Sequence, residues 1–393
     1  MPSGSAPTDG ATPQVSAFYD RFPYPGDPLQ DGPPPGYNWR WCHAAAHAHC
    51  TGRLPDGARS PRILDAGCGT GVSTDYLVHL NPGATVTAVD ISPGALEVAD
   101  ERLRRSGGLG AVRFACRSLL DLEGEGPFEH INSVGVLHHL ADPSGGLRAL
   151  AGLLAPGGLL HLFLYADGGR WEIHRLQRSL RLLEVGTGEQ GLALGRRLLA
   201  ELPADNRLRR RHEERWALDT QADANFADMY LHPQETSYDL PRLWALIEGA
   251  GLSFLGFSDP ERWDPSRLLT GELLERALAL PDRERWQLIE ALDPEISHFE
   301  FFLSDRPLPR QTWHDDGVLL AARGRRNPCL WGWPGRQLLD QDLKPLDLSA
   351  EDLALLQAVE ASPDAALGAL VDRADLPRVR DLQANAVLLL QEG

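Results

Sequence analysis

The feature that most constrains this chain is an alternation that runs from Pro61 to Tyr165. Short β-branched or apolar runs, "RILDAG" (62–67), "TVTAVD" (85–90), "AVRFACR" (111–117), "FEHINSVG" (128–135) and "LLHLFLY" (159–165), alternate with segments of helical composition. Runs that short and apolar are strands buried on both faces. Strands joined through helices lie parallel, because a parallel pair needs a long crossover where a hairpin needs only two residues. The expected fold class is therefore α/β, a parallel sheet with helices on both faces. Beyond it, a loop, a helix near 240–250 and strands at 252–257 and 298–304 extend the pattern.

The first strand runs into "ILDAGCGTG" (63–71), where Asp65 is followed by Gly67, Gly69 and Gly71 and a helix begins near Ser73. Glycine is needed where backbone turns with positive φ or passes close to a ligand. The helix start adds unpaired N–H groups. The next strand ends in Asp90, where an acid meets a ribose diol. Together these features describe a nucleoside site at the carboxyl ends of parallel strands. A tight strand–helix turn with no ligand is the competing reading, and Asp90 argues against it. A nicotinamide-dependent reductase is the rival from another class. Its fingerprint spaces glycines G-x-G-x-x-G, and with Lys344 the only lysine no Tyr-x-x-x-Lys pair exists.

This pattern resembles motif I of the class I S-adenosylmethionine-dependent methyltransferases. In order along the chain, so do "CRSLLDL" (116–122), "FEHINSVGVLHHLADP" (128–143) and "LLAPGGLLHLFLY" (153–165). The resemblance implies a Rossmann-like, mostly parallel sheet with an antiparallel last strand, and S-adenosyl-L-methionine as cofactor. It implies that Gly67, Cys68, Gly69 and Gly71 pass under the methionine and ribose, while Asp65 orients the loop and the cofactor's amino group. Asp90 would take the ribose hydroxyls and Ile91 the adenine face. Ser118 and Leu119 would border the adenine, and Gly135 would close the fourth strand. Many members carry an acid where Ser118 stands; Asp121 nearby either substitutes or caps a turn. No Asn/Asp-Pro-Pro-Tyr element follows the fourth strand, which disfavours nucleic-acid N-methylation and leaves O, N, S and C acceptors open.

Methyl transfer requires an acceptor lone pair held in line with the departing sulfur, and a base only where the acceptor's proton leaves slowly. "VLHHL" puts His138 and His139 just after the fourth strand, as candidate bases or as packing for the next helix. "DMYLHP" (228–233) is expected to be a Pro-stiffened loop offering Asp228, Tyr230 and His232 to a polar acceptor, or else satisfying its own backbone. "FYDRFPYP" (18–25) sets four aromatics among prolines upstream of motif I, as some members of the family do. It reads as a lid in which Tyr19 and Tyr24 supply hydroxyls to the cofactor end and Phe18 and Phe22 exclude water. The candidate catalytic set is thus His138, His139, Tyr19 and His232.

"WCHAAAHAHC" (41–50) tempts a metal reading through His43, His47 and Cys50, yet no second ligand pair follows, and no metal is expected. The Arg run in "NRLRRRHEERW" (206–216) is read as a solvated helix face paired to Glu213 and Glu214, with an anionic acceptor as the alternative.

A formal charge of −17 argues against a general nucleic-acid binder. No apolar run is long enough for a bilayer, and five scattered cysteines fit a reduced compartment. The chain reads as a bacterial, cytoplasmic protein with a small-molecule or peptide acceptor and no nucleic-acid or membrane partner; a homodimer stays open. The expected divisions are a disordered tail (1–15), a lid and helix (16–60), the methyltransferase domain (61–305) with helical inserts at 170–222 and 261–295, and a C-terminal helical, winged-helix-like module (306–393). The favoured function is methylation of a small molecule or short peptide in specialised metabolism. Cyclisation or aminocarboxypropyl transfer with the same cofactor, and a protein- or carrier-directed activity docking through the C-terminal module, are the alternatives.

Overall fold

A seven-stranded sheet with the order β3-β2-β1-β4-β5-β7-β6 organises the molecule. The strands are β1 (Arg62–Ala66), β2 (Thr85–Asp90), β3 (Val112–Cys116), β4 (Phe128–Val134), β5 (Leu154–Tyr165), β6 (Ser253–Phe257) and β7 (His298–Ser304). All pairs from β3 to β5 are parallel, and β7 runs antiparallel to both of its neighbours. The computed structural model describes residues 12–56 and 60–393. Most strand limits fall where the apolar runs put them. β5 starts earlier than expected, at Leu154, because Leu154 pairs with Phe128 and "APGG" (155–158) bulges before pairing resumes at His130 and Leu159.

Helices α1 (Thr12–Arg21), α2 (His43–Thr51), α3 (Val72–Leu80), α4 (Pro93–Ser106), α5 (Pro143–Ala151) and α10 (Leu240–Gly249) accompany the sheet. Their starts are chemically marked. The Ser92 hydroxyl accepts from the Ala95 N–H ahead of α4, and Asp239 accepts from Arg242 N–H ahead of α10. The insert after β5 holds α6 (Trp171–Leu182), α7 (Glu189–Glu201), α8 (Arg207–Arg215) and α9 (Asp223–Leu231). Helix α9 corrects one expectation: Asp228 and Tyr230 sit on the last turns of a helix, not on a loop, and only His232 and Pro233 lie beyond it. The second insert carries α11 (Gly271–Leu278) and α12 (Asp282–Leu292).

Residues 1–11, most of the segment expected to be a disordered tail, lie outside the described residues; Thr12 to Val15 already belong to α1. Phe18 in that helix and Phe22 just past its end share a face and bury themselves against Ile173, Leu176, Leu180 and Phe226 of the first insert. Two buried phenylalanines contribute about 1.5–3 kcal/mol each to seating the helix. The insert and α1 thus form a small core of their own beside the sheet.

The C-terminal module has a separate core, built on Trp313, Leu356, Leu367, Val379 and Leu388 among others. It contains α13 (Asp316–Ala321), α14 (Ala350–Ala361), with a Ser349/Asp352 capping box, and α15 (Leu376–Ala384). Two antiparallel ribbons accompany them, β8 (Arg323–Arg326) with β11 (Leu388–Gln391), and β9 (Gln337–Leu339) with β10 (Pro345–Asp347). The short strands were hidden in the sequence because each is only three or four residues long. In the Arg run of α8 Arg209 pairs with Glu213, but Glu214 takes no arginine among the described residues; Arg211 and Arg215 reach Glu172 and Glu295 on neighbouring segments instead. No helix among the described residues is long and apolar enough to cross a membrane.

Candidate active site

A cavity of about 490 Å³ opens at the carboxyl ends of β1, β2 and β4 and continues under α1 and α9. Its floor is the glycine loop. Gly67 and Gly69 have φ of +83° and +50°, a region closed to most side chains. A Cβ at Gly69 would come within 2.2 Å of the Tyr24 carbonyl oxygen, and one at Gly67 within 2.3 Å of Val136. Sequence, loop shape and overlying chain therefore depend on one another here.

Asp90 stands in the cavity wall, where its carboxylate accepts from Gly69 N–H (2.8 Å) and Ser92 N–H (2.9 Å). Each oxygen keeps a lone pair for a ribose hydroxyl. Burial pushes its acid above the usual carboxylate range, against those two backbone bonds. Cys68, Ile91, Ser118 and Leu119 also line the cavity, as do Gly67, Gly69, Tyr19 and Tyr24. Gly135, at φ +76°, lines it with nothing within 4 Å of where a Cβ would be, so open space stands over the end of β4. A carboxylate for a diol, a bare backbone floor and an open shelf are what S-adenosylmethionine requires of its site.

Two residues expected at the cofactor stand behind the wall instead. Asp65 is fully buried, and its oxygens are occupied by the chain itself: Oδ2 accepts from Ser73 (2.7 Å) and Thr74 (2.6 Å), and Oδ1 from the Asn132 amide (2.8 Å). It braces the loop and the start of α3 from outside the cavity lining, out of reach of the cofactor's amino group. Gly71 caps α3 and packs on α4; a Cβ there would meet Ala99 at 2.8 Å.

The aromatic segment is fastened over the loop. Thr70 donates its N–H to the Tyr24 carbonyl (3.1 Å) and its hydroxyl to the Pro25 carbonyl (2.7 Å). Buried Arg102 donates to the carbonyls of Thr70, Asp27 and Pro28. Asp20 accepts from the Ser92 hydroxyl and the Gly94 N–H, and Ser16 donates to the Ile91 carbonyl. The phenylalanines face the insert and the tyrosines face the cavity.

At the far end of the cavity Tyr19, His139, Tyr165, Arg170, Asp228 and Gln234 converge. Tyr19 donates to Asp228 Oδ1 at 2.9 Å, and the Tyr165 hydroxyl lies 3.5 Å from Oδ2. Burial raises the acid of Asp228; the neighbouring His139 and the Tyr19 hydrogen bond work against that shift. Tyr19 itself stays a neutral phenol, pushed well up by burial and by the Asp228 charge. Arg170 lies 3.5 Å over the Tyr165 ring and pairs with Glu235 at 3.1 Å.

His139 Nδ1 faces the Gln234 carbonyl at 2.8 Å and must donate to it, so Nε2 carries the lone pair. The Gln234 side chain returns a bond to the His139 carbonyl at 3.0 Å. His232 stacks on His139 at 3.8 Å between centroids without lining the cavity. Ligand atoms of His139, Asp228 and His232 lie within 4.8 Å of one another, a spacing that a cation could bridge. However, the Gln234 N–H donates to His232 Nδ1 (3.1 Å), which leaves the ring proton on Nε2. With Nδ1 accepting that bond and Nε2 protonated, His232 has no lone pair free for a cation.

Two more expectations are corrected. His138 is fully buried, stacked on Tyr165 at 3.8 Å, and lies outside the cavity wall. Tyr230 turns away into the insert, with its hydroxyl on His212 Nδ1 at 2.8 Å. Helical geometry explains the second: Asp228 and Tyr230, two apart on α9, cannot share a face. Among the "WCHAAAHAHC" histidines, His47 is occupied by Thr51 and the Arg53 carbonyl. Tyr165 and Arg170 were missed from sequence. A polar aromatic ending an apolar strand was the available signal for Tyr165; Arg170 offered none.

Comparison with known proteins agrees with this geometry. A family model described as a methyltransferase domain matches residues 64–160. A protein of Synechococcus sp. (strain ATCC 27144 / PCC 6301 / SAUG 1402/1), described as "Uncharacterized protein syc1184_c", is 52% identical over 396 residues, covering 98% of this chain and 95% of its own. The ubiquinone biosynthesis O-methyltransferase of Caulobacter sp. (strain K31) is 41% identical over 125 residues, 32% of this chain and 46% of its own length. The solved structure of PKMT2 from Rickettsia typhi in complex with AdoHcy shares the fold, with a TM-score of 0.62 at 16% identity over 91% of this chain and 77% of that one. The protein thus belongs, along nearly its whole length, to one family with the Synechococcus protein, and within it residues 64–160 form a methyltransferase domain on a class I methyltransferase fold.

Proposed function

We propose that the protein methylates a hydroxyl group of a small molecule held in the far end of the cavity, as a step in specialised metabolism. When bound, S-adenosylmethionine supplies a methyl group activated on a sulfonium. The chain's own residues then have to hold the acceptor oxygen and receive its proton. His139 Nε2 is the group for the proton, because its other nitrogen is fixed as a donor to Gln234. That single observation carries the reading. The Asp228 carboxylate stabilises the imidazolium that results, and Tyr19 and Tyr165 hold the carboxylate in place. The seated α1 and the first insert exclude water, which strengthens each of these charge interactions.

The relative from Caulobacter, named for O-methylation, supports a hydroxyl acceptor, although its match covers only part of each chain. A concave cavity of about 490 Å³ supports a small acceptor over a folded protein. Incubation with methyl-labelled cofactor and panels of phenols, aliphatic alcohols and short peptides tests this. Label transferred to hydroxylated small molecules, with S-adenosylhomocysteine as co-product, is expected. Label in peptides alone, or methylthioadenosine as the co-product, would overturn it.

A further inference from the structure

One row of buried polar side chains crosses the sheet and is used by none of the steps above. Asp65 on β1, Asn132 on β4 and His161 on β5 are direct cross-strand neighbours at a single register, all fully buried. The Asn132 amide nitrogen donates to Asp65 Oδ1 at 2.8 Å, so the amide oxygen faces His161 Nδ1 at 2.9 Å. An oxygen there makes Nδ1 a donor. His161 Nε2 faces Glu300 Oε1 at 3.1 Å, and the other Glu300 oxygen holds Arg40 (2.7 Å) and the Ser258 hydroxyl (2.7 Å). Each member therefore fixes the direction of the next. Arg40 lies between Trp39, against whose ring it packs, and Trp41, which lines the cavity.

We propose that His161 is a positioning residue for the cofactor loop: by donating to Asn132 it holds that amide with its NH2 toward Asp65, and Asp65 then holds Ser73 and Thr74 so that residues 67–71 keep their shape. An Asn132 amide free to turn would present its oxygen to the Asp65 carboxylate, two acceptors face to face in a dry interior. The glycine loop would relax with it. The inference concerns cofactor binding alone and is independent of which acceptor is methylated.

Isothermal titration of the full chain with S-adenosylhomocysteine reads it directly. His161→Phe and Asn132→Ala should each weaken binding about tenfold, and the double variant should be no weaker than Asn132→Ala alone. His161→Gln, which retains an N–H for Asn132, should recover most of the loss. Additive losses in the double variant, or His161→Phe within twofold of wild type, would overturn the proposal.

If His161→Phe fails to fold, Asn132→Asp gives a second readout. It sets a carboxylate against Asp65 while His161 remains on its other side. Asp90 and Cys68 beside Asp65, His130 two residues away on β4, and Glu300 with Arg40 beyond His161 are the charged and titratable surroundings. Sharing a proton between residues 65 and 132 should make the variant's affinity improve as pH falls, relative to wild type. A pH dependence parallel to wild type would overturn the proposal as well.

Discussion

In the proposed reaction Asp228 stands beside the base His139, and its environment makes the predictions specific. Because burial raises its acid, activity should fall on the acid side at a pH above the usual carboxylate range. Tyr19→Phe removes a hydrogen bond that favours the ionised form, so the acid limb of the kcat/KM profile should move further up. His139→Gln should lower kcat by about 10²–10⁴-fold with little change in cofactor affinity. Asp228→Asn should also lose activity. The native state binds the Asp228 proton more tightly than the unfolded chain does, so this group's contribution to stability falls as pH rises through its raised value. Denaturant titration at neutral pH should therefore find Asp228→Asn no less stable than wild type. At this scale the sequence was uneven. Gly67, Gly69 and Asp90 were legible because backbone geometry near a nucleoside restricts the residue type. Tyr165, Arg170 and the tautomer of His139 were not, since each depends on partners brought in by folding.

Between the residue and the fold stands α1 with its following turn, an element clasped from below by Thr70 and Arg102 and from the side by Asp228. Its grip on the loop gives a sharp test. Gly69→Ala drives a Cβ into the Tyr24 carbonyl at positive φ and should expel the segment, reducing cofactor affinity by at least about tenfold while the sheet stays folded. Titration with S-adenosylhomocysteine and far-UV circular dichroism separate the two effects. The aromatic run marked this element in the sequence. Its helical form was obscured because "FYDRFPYP" ends in prolines that suggest extended chain. The same limit applied to "DMYLHP", where Pro233 pulled the expectation toward a loop although α9 ends just before it.

The whole molecule is held together by chain segments far apart in sequence. Trp39 donates its indole N–H to Asp342, 303 positions away, at 2.9 Å, and Trp313 donates to the Gly52 carbonyl at 2.7 Å. Leu54 N–H bonds the Leu390 carbonyl at 2.7 Å. The C-terminal module therefore shores up the segment that carries Arg40 and Trp41. Trp313→Ala, at a fully buried site, should cost about 3–5 kcal/mol of stability in urea and loosen cofactor binding from a distance. The sheet order was readable from the alternation of runs, whereas this closure was not, because nothing local records which strand a module will lean on. Its consequence lies in the timing of synthesis. The region from Trp39 to Leu54 leaves the ribosome early but cannot complete its contacts until residues 313 to 390 have followed. A nascent chain with residues only to about 305 outside the ribosome would hold a formed sheet and an unfinished pocket, and the enzyme would gain its activity in one late step.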